Sequence, residues 1–243
     1  MEKHLVIFGT SQYKNSINSL VRSSSNFFNK IHIFNEENID FDFYKKNEKI
    51  LSSSRGAGYW LWKPYFILKV LNSVEEGDIV FYVDSGNVFI NDPSPILNNI
   101  SENNNIILFD NRDGMTDGSS AQNFISVKKD CFVLMNCDTD EYVYGNHLNA
   151  SYQIYLKNEM SIKFVTEYLN YCENFDIISD SPNKYGSNYP GYYDHRHDQS
   201  ILSILSIKYK IKPLVDPSEW GNKCGCRGYE QLFSHHRNPF FIL

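Results

Sequence analysis

The stretch "GDIVFYVDSGN" (residues 77–87) decides how the chain reads. Residues 79–83 are apolar on both faces, so they read as a central strand covered on both sides. The run ends in Asp84, at the strand's carboxyl end, where open α/β sheets bind their ligands. A carboxylate there suits either a hard divalent cation or a turn cap. Gly86 then removes a side chain at the same lip.

The neighbouring segments follow the same logic. "HLVIFGTS" (4–11) is a short buried strand closed by a loop, and "KIHIFN" (30–35) is a second strand. Residues 16–28 read as a first helix. Residues 64–78 read as another, with Pro64 in the first turn and Gly77 at the stop. Strands are expected at 105–111 and 124–130, and helices at 160–175 and 198–210, the last with Asp198 as N-cap. Strands alternating with helices define an α/β domain with a mostly parallel sheet. Two segments, 111–123 and 179–195, read as long loops, a frequent seat of function.

The chain has 243 residues, 42% of them hydrophobic, enough for one large core. The formal charge of −6 argues against a general nucleic-acid binder. No window approaches the ~18 consecutive apolar residues of a membrane span. The start shows no signal peptide. Five scattered cysteines are expected as reduced thiols, and Cys224-Gly-Cys226 is too isolated for zinc. The expected location is cytoplasmic, at the membrane face.

Chemistry-bearing residues gather in three places. "SRGAGYWLWKPYF" (54–66) sets Arg55, two glycines, Tyr59 and Lys63 before a helix that leads into the Asp84 strand. Such a segment suits an anion: a guanidinium fork, a helix N-terminus and close backbone approach. "YYDHRHDQSILSIL" (192–205) clusters Asp194, His195, His197 and Asp198, residue types that a metal hydrolase uses, beside Arg196 and Gln199. "FSHHRNPFFIL" ends the chain with His235 and His236 next to Arg237.

Taken in order, "RGAGYWLWKP", "GDIVFYVDSG" and "HRHDQSILSIL" resemble the GT-A fold glycosyltransferases, in particular small enzymes of capsule and O-antigen synthesis. The resemblance runs from about residue 4 to 235. It implies a single Rossmann-like domain over 1–243, with a donor half at about 1–110 and an acceptor half at about 111–243. It implies transfer of a sugar from a nucleotide-sugar, expected to be UDP-linked, to a hydroxyl of a glycan or lipid-linked acceptor. Donor contacts are expected from Thr10, Ser11, Tyr13, Arg55, Tyr59, Lys63, Asp84, Ser85, Gly86 and Arg196. Asp198 and Gln199 are expected beside the transferring sugar, with Asp198 as first candidate for the base and Asp110, Asp113 and Asp117 as alternatives. Mn²⁺ or Mg²⁺ is expected on Asp84 with His235 or His236. The sequence departs from the family's DxD motif, because Gly86 stands where the second acid belongs. The competing expectations are a non-catalytic glycan-binding module and the metal hydrolase centred on Asp194, His195, His197 and Asp198.

Overall fold

A computed structural model describes residues 1–112 and 119–236. Among these residues seven strands form: β1 (Lys3–Phe8), β2 (Lys30–Phe34), β3 (Ile79–Val83), β4 (Asn87–Phe89), β5 (Ile106–Asp110), β6 (Leu148–Leu156) and β7 (Phe233–His235). Five of them make the central sheet in the order β2-β1-β3-β6-β5, and β4 pairs with β7 apart from it. β1, β2 and β3 run parallel, whereas β6 is antiparallel to both its neighbours. The main helices are α1 (Lys14–Ser24), α2 (Trp62–Leu71), α3 (Lys129–Leu134), α4 (Glu159–Cys172), α5 (Phe175–Ile178) and α6 (Asp198–Lys208).

The strand at 79–83 is the middle of the sheet, and all five of its residues are buried. Its side chains alternate between two cores. Val80 and Tyr82 join Val6 and Phe8 under α2, α4 and α6. Ile79, Phe81 and Val83 join Leu5 and Ile7 under α1 and the β4–β7 pair. A strand covered on both faces needs apolar residues at every position, which is what the sequence pattern implied.

Several boundaries differ from the sequence expectation. Helix α2 stops at Leu71, and Gly77 (φ 86°) instead forms the turn into β3. Residues 124–130 are not a strand: one helical turn covers Asn123–Ser126, and α3 begins at Lys129. Asp130 in the first turn of α3 suits a helix N-terminus. The N-cap of α6 is His197 rather than Asp198, whose carboxylate is engaged elsewhere. The 179–195 loop is pinned to α3: Asp130 accepts from the backbone of Lys184 and Tyr185, and Lys128 donates to Ser179 O. Cys224 and Cys226 are joined as a disulfide, contrary to the expected free thiols, while Cys131, Cys137 and Cys172 are free and buried.

The nine-residue β6 has no counterpart in the sequence reading. It enters between β3 and β5, so the carboxyl-terminal part of the chain completes the sheet begun by the first 110 residues. Between Leu108 and Phe109 of β5, the β6 partner jumps from Gln153 to Asn149. This bulge leaves Ala150–Tyr152 outside the β5 ladder, and Tyr152 stays paired with Val83. Bulges of this kind re-aim side chains beside functional sites.

Candidate active site

The carboxyl ends of β1 and β3 and the start of β6 converge on one side of the sheet. A cavity of about 850 Å³ opens there. Thr10, Ser11 and Tyr13 reach it from the loop after β1, and Asp84, Ser85 and Gly86 from the turn after β3. Asn149 and Ser151 come from β6, Arg196 from the approach to α6, Gln199 from its first turn, and His235 and His236 from the end of β7 and the residue after it. Glu36, Trp60, Trp62 and Trp220 complete the walls named here.

Asp84 is the most connected group at this floor. Its Oδ1 accepts from the hydroxyl of the buried Tyr82 at 2.5 Å and lies 3.3 Å from Lys63 Nζ. Its Oδ2 accepts from Ser151 Oγ at 2.9 Å, the residue offered by the β6 bulge. The side chain keeps 30% of its surface open. Behind it, Lys63 is buried and sits 3.0 Å from Asp198, which also accepts from Tyr168. Nζ donates as well to Ala150 O at 3.2 Å.

One ammonium thus serves two carboxylates. Burial alone would pull the Lys63 pKa down, but Asp198 and Asp84 more than reverse this and hold it above the ordinary lysine value. Burial pushes the Asp198 carboxyl up, and Lys63 only partly opposes that rise. Asp198 is buried and absent from the cavity wall. Its carboxylate meets Lys63 and Tyr168 rather than facing the cavity, and Lys63 in turn links it to Asp84. Asp110 is also withdrawn, because Arg112 and the backbone N–H of Asp216 occupy its carboxylate. Asp113, Asp117 and Arg237 lie outside the described residues.

The Arg55 segment is arranged differently from the expectation. Residues 56–60 all take left-handed φ values, including Ala57 (50°), Tyr59 (52°) and Trp60 (61°). Each non-glycine residue there costs on the order of 1–3 kcal/mol. The coil is held by Trp62 Nε1 donating to Gly56 O at 2.9 Å. A side chain at Gly56 would strike the Trp60 ring. The coil brings Gly56, Ala57 and Trp60 to the cavity but turns Arg55 away, so that Arg55 Nε donates to His197 Nε2 at 2.8 Å and meets Asp180 at 3.0 Å. Tyr59 packs its ring on His197, 5.0 Å between centroids. Arg55, Tyr59 and Lys63 therefore brace the site from behind its wall.

The histidines of "DHRHD" are structural. His197 Nδ1 donates to Ile178 O at 2.7 Å, and His195 Nε2 donates to Ile177 O at 2.8 Å, tying the approach to α6 onto α5. Their other ring nitrogens accept from Arg55 and from the Lys128 backbone. With both nitrogens engaged, neither ring has a lone pair for a metal, which removes the hydrolase centre built on Asp194, His195, His197 and Asp198. Burial holds both pKa values below the ordinary 6.5, and holds His147 near 3 and His32 near 4. These four rings are neutral when folded and protonate when unfolded. The unfolded chain therefore binds more protons below pH 6.5, and stability falls as pH falls through that value. Thermal unfolding between pH 7.5 and 5 should show a falling Tm, with up to roughly 1.4 kcal/mol per pH unit for each ring. A flat profile over that range would contradict the buried neutral state.

The C-terminal strand answers the question of Gly86. β7 returns beside the Asp84 turn: Asn87 pairs with His235, and His236 N donates to Gly86 O at 2.8 Å. A Cβ at position 86 would lie 3.1 Å from His236 O, a tight approach. Glycine therefore makes room for the returning chain. His235 Nε2 meets Tyr152 OH at 3.0 Å, while its Nδ1 is buried without a hydrogen bond, 3.7 Å from Glu219. Thr10 Oγ1 and Trp220 Nε1, on the same cavity wall, are also buried without hydrogen bonds. Buried polar atoms are paired in most native structures. Three on one wall mark a surface built for a polar ligand. Trp220 and Glu36 escaped the sequence reading, since nothing local distinguishes either from a surface or packing residue.

No protein-family model and no curated protein matches the sequence. Among solved structures, the galactosyltransferase LgtC, determined in complex with donor and acceptor sugar analogues, is similar at a TM-score of 0.50 and 12% identity. The match covers 97% of this chain and 87% of that one. Mouse xyloside xylosyltransferase 1 gives a TM-score of 0.49 at 10% identity, covering 100% of both chains. The bifunctional glycosyltransferase WbbM gives 0.46 at 13% identity, and the match spans 84% of this chain but only 37% of WbbM. The chain has the GT-A glycosyltransferase fold, a mixed α/β sheet flanked by helices. Among the described residues no helix is long and apolar enough to cross a membrane.

Proposed function

We propose that this protein is an enzyme that transfers a glycosyl group from a nucleotide-sugar to an acceptor hydroxyl. The observation that carries the reading is the cavity wall itself: Asp84, clamped by Tyr82, Ser151 and Lys63, faces a space lined by three buried polar atoms lacking partners. In this reading Tyr13, Thr10 and Ser11 receive the nucleoside, and Glu36, just after β2, takes its ribose hydroxyls, as an acid there does in doubly wound sheets. Asp84, Ser85 and Gly86 lie at the diphosphate, with Arg196 as the cation on the wall. Gln199 lies beside the transferring sugar. Its amide makes no hydrogen bond among the described residues, and it suits binding a sugar hydroxyl better than removing a proton. The donor half and the acceptor half share this one cavity.

A divalent cation fits the donor set in one way. Among the described residues Asp84, His235 and His236 do not gather into a three-ligand group. A cation that arrives with its diphosphate needs only one or two protein ligands. Asp84 and His235 would hold Mn²⁺ or Mg²⁺ in that role, and the ion would neutralise the leaving diphosphate. The base preference proposed is uridine, and the acceptor class a glycan or lipid-linked glycan of surface polysaccharide synthesis, met at the cytoplasmic membrane face.

A thermal-shift series with nucleoside diphosphates, with and without Mn²⁺, tests the reading. At one hundred times its Kd, a ligand adds about 2.7 kcal/mol. For a chain of this size that is a rise of roughly 5–10 °C. UDP with Mn²⁺ should give the largest rise, and Mn²⁺ alone almost none. A glycan-binding module would ignore every nucleotide, so an unresponsive Tm throughout would end the transferase proposal.

A further inference from the structure

A second polar cluster lies at the opposite edge of the sheet, where β1 and β3 begin. Asp78 is buried there, with Oδ1 accepting from Glu2 N at 2.6 Å and Oδ2 from Glu75 N at 3.1 Å. His4, from the start of β1, is 95% buried at its side chain. Its Nε2 points between two carboxylates, 3.6 Å from Glu2 Oε2 and 3.6 Å from Asp78 Oδ2. That nitrogen is buried and makes no hydrogen bond.

The distances suit a shared small cation better than direct contact. A separation of 3.6 Å is too long for a hydrogen bond. Two ligand atoms bonded to one tetrahedral ion at about 2.0–2.2 Å stand roughly 3.3–3.6 Å apart. Glu2, His4 and Asp78 can each supply one ligand atom, all within 4.8 Å of one another. The other His4 nitrogen, Nδ1, is 3.0 Å from His32 Nε2 on the neighbouring β2. Donation from Nδ1–H to His32 fixes the tautomer that leaves the Nε2 lone pair facing the carboxylates. This is the outer support that metal-bound imidazoles commonly have. Glu2 is largely exposed, so a fourth position opens to solvent.

We propose that Glu2, His4 and Asp78 bind one zinc-class divalent ion, which clips the start of β1 to the start of β3. One imidazole and two carboxylates form a donor set of the kind zinc accepts. The site is remote from the cavity, and the proposal stands or falls independently of the transferase reading. Its rival is a proton: His4 as an imidazolium between the two acids.

Calorimetric titration of the chelator-stripped full chain with Zn²⁺ alone separates them. The expected result is one equivalent bound, lost in His4→Gln and weakened at least about tenfold in Glu2→Gln and His32→Ala. Glu2→Gln changes an exposed side chain and carries the test if His4→Gln does not fold. No uptake of Zn²⁺, or uptake of equal affinity in Glu2→Gln, would overturn the proposal.

Discussion

Asp84→Asn is expected to lower kcat/KM for transfer by roughly 10²–10³-fold while the protein stays folded, about the loss seen when one preorganised electrostatic group is removed. The substitution keeps an oxygen to accept from Tyr82 and an amide to meet Ser151, so the local hydrogen bonds survive. It removes the one negative charge that the turn after β3 presents to the cavity. Asp84→Ala should lose as much activity and somewhat more stability, because the Tyr82 hydroxyl is then buried without its acceptor. The assay is release of nucleoside diphosphate from whichever nucleotide-sugar stabilises the protein most. Unchanged turnover in Asp84→Asn, with an unchanged response to Mn²⁺, would remove Asp84 from the mechanism.

The largest stability effect is expected at Lys63. Lys63→Met leaves Asp198 buried with no cation, and removing one partner of a buried ion pair costs about 3–5 kcal/mol. For a chain of this length Tm should fall by roughly 6–20 °C. The pH dependence has a definite sign. Burial raises the Asp198 pKa, so the folded state binds more protons than the unfolded state above the ordinary carboxylate range, and stability declines as pH rises through the folded pKa. Without Lys63 that decline should deepen. The gap between variant and wild type, measured at matched pH, should narrow from pH 8 to pH 5. Adding Asp198→Asn should recover part of the loss. A pH-independent gap would mean that Asp198 is not left charged. At the alkaline end Lys63 adds a loss of the same sign: its raised pKa supplies stability that is complete below about 10.5 and disappears as pH passes the folded value.

Much of the fold was legible because its central strand is buried on both faces and so writes an unbroken apolar run. The order of β1, β2, β3 and β5, and of α2, α4 and α6, followed from such runs and from helical periodicity. β6 did not, because Asn149, Ser151 and Gln153 interrupt it; Asn149 and Gln153 are buried and Ser151 half-buried, each with a specific partner. Gln153, for instance, donates to Ala150 O and accepts from Tyr155. Residues 124–130 failed for the opposite reason: three apolar residues within four do not distinguish a strand from one helical turn.

The site was legible in its parts and not in its layering. Residue type placed Lys63, Asp84, Asp198 and Gln199 at one ligand-facing edge. It did not tell that Lys63 and Asp198 stand behind the wall while Asp84 and Gln199 stand in it, since a charged residue is read as exposed unless its partner is known. Arg55 and His197 show the same difficulty. They bond each other across 142 positions of sequence, and no local pattern records the pair.

The antiparallel entry of β6 has a consequence for how the chain is made. When residue 110 leaves the ribosome, β1, β2 and β3 are complete, but the β3 edge that β6 will cover has no partner. It stays open for nearly forty further residues, with an apolar strand at its margin. An exposed edge of that kind invites pairing with other chains. A fragment ending after β5 would therefore aggregate rather than bind nucleotide, and the cavity would first exist when β6 is in place and β7 has closed beside it.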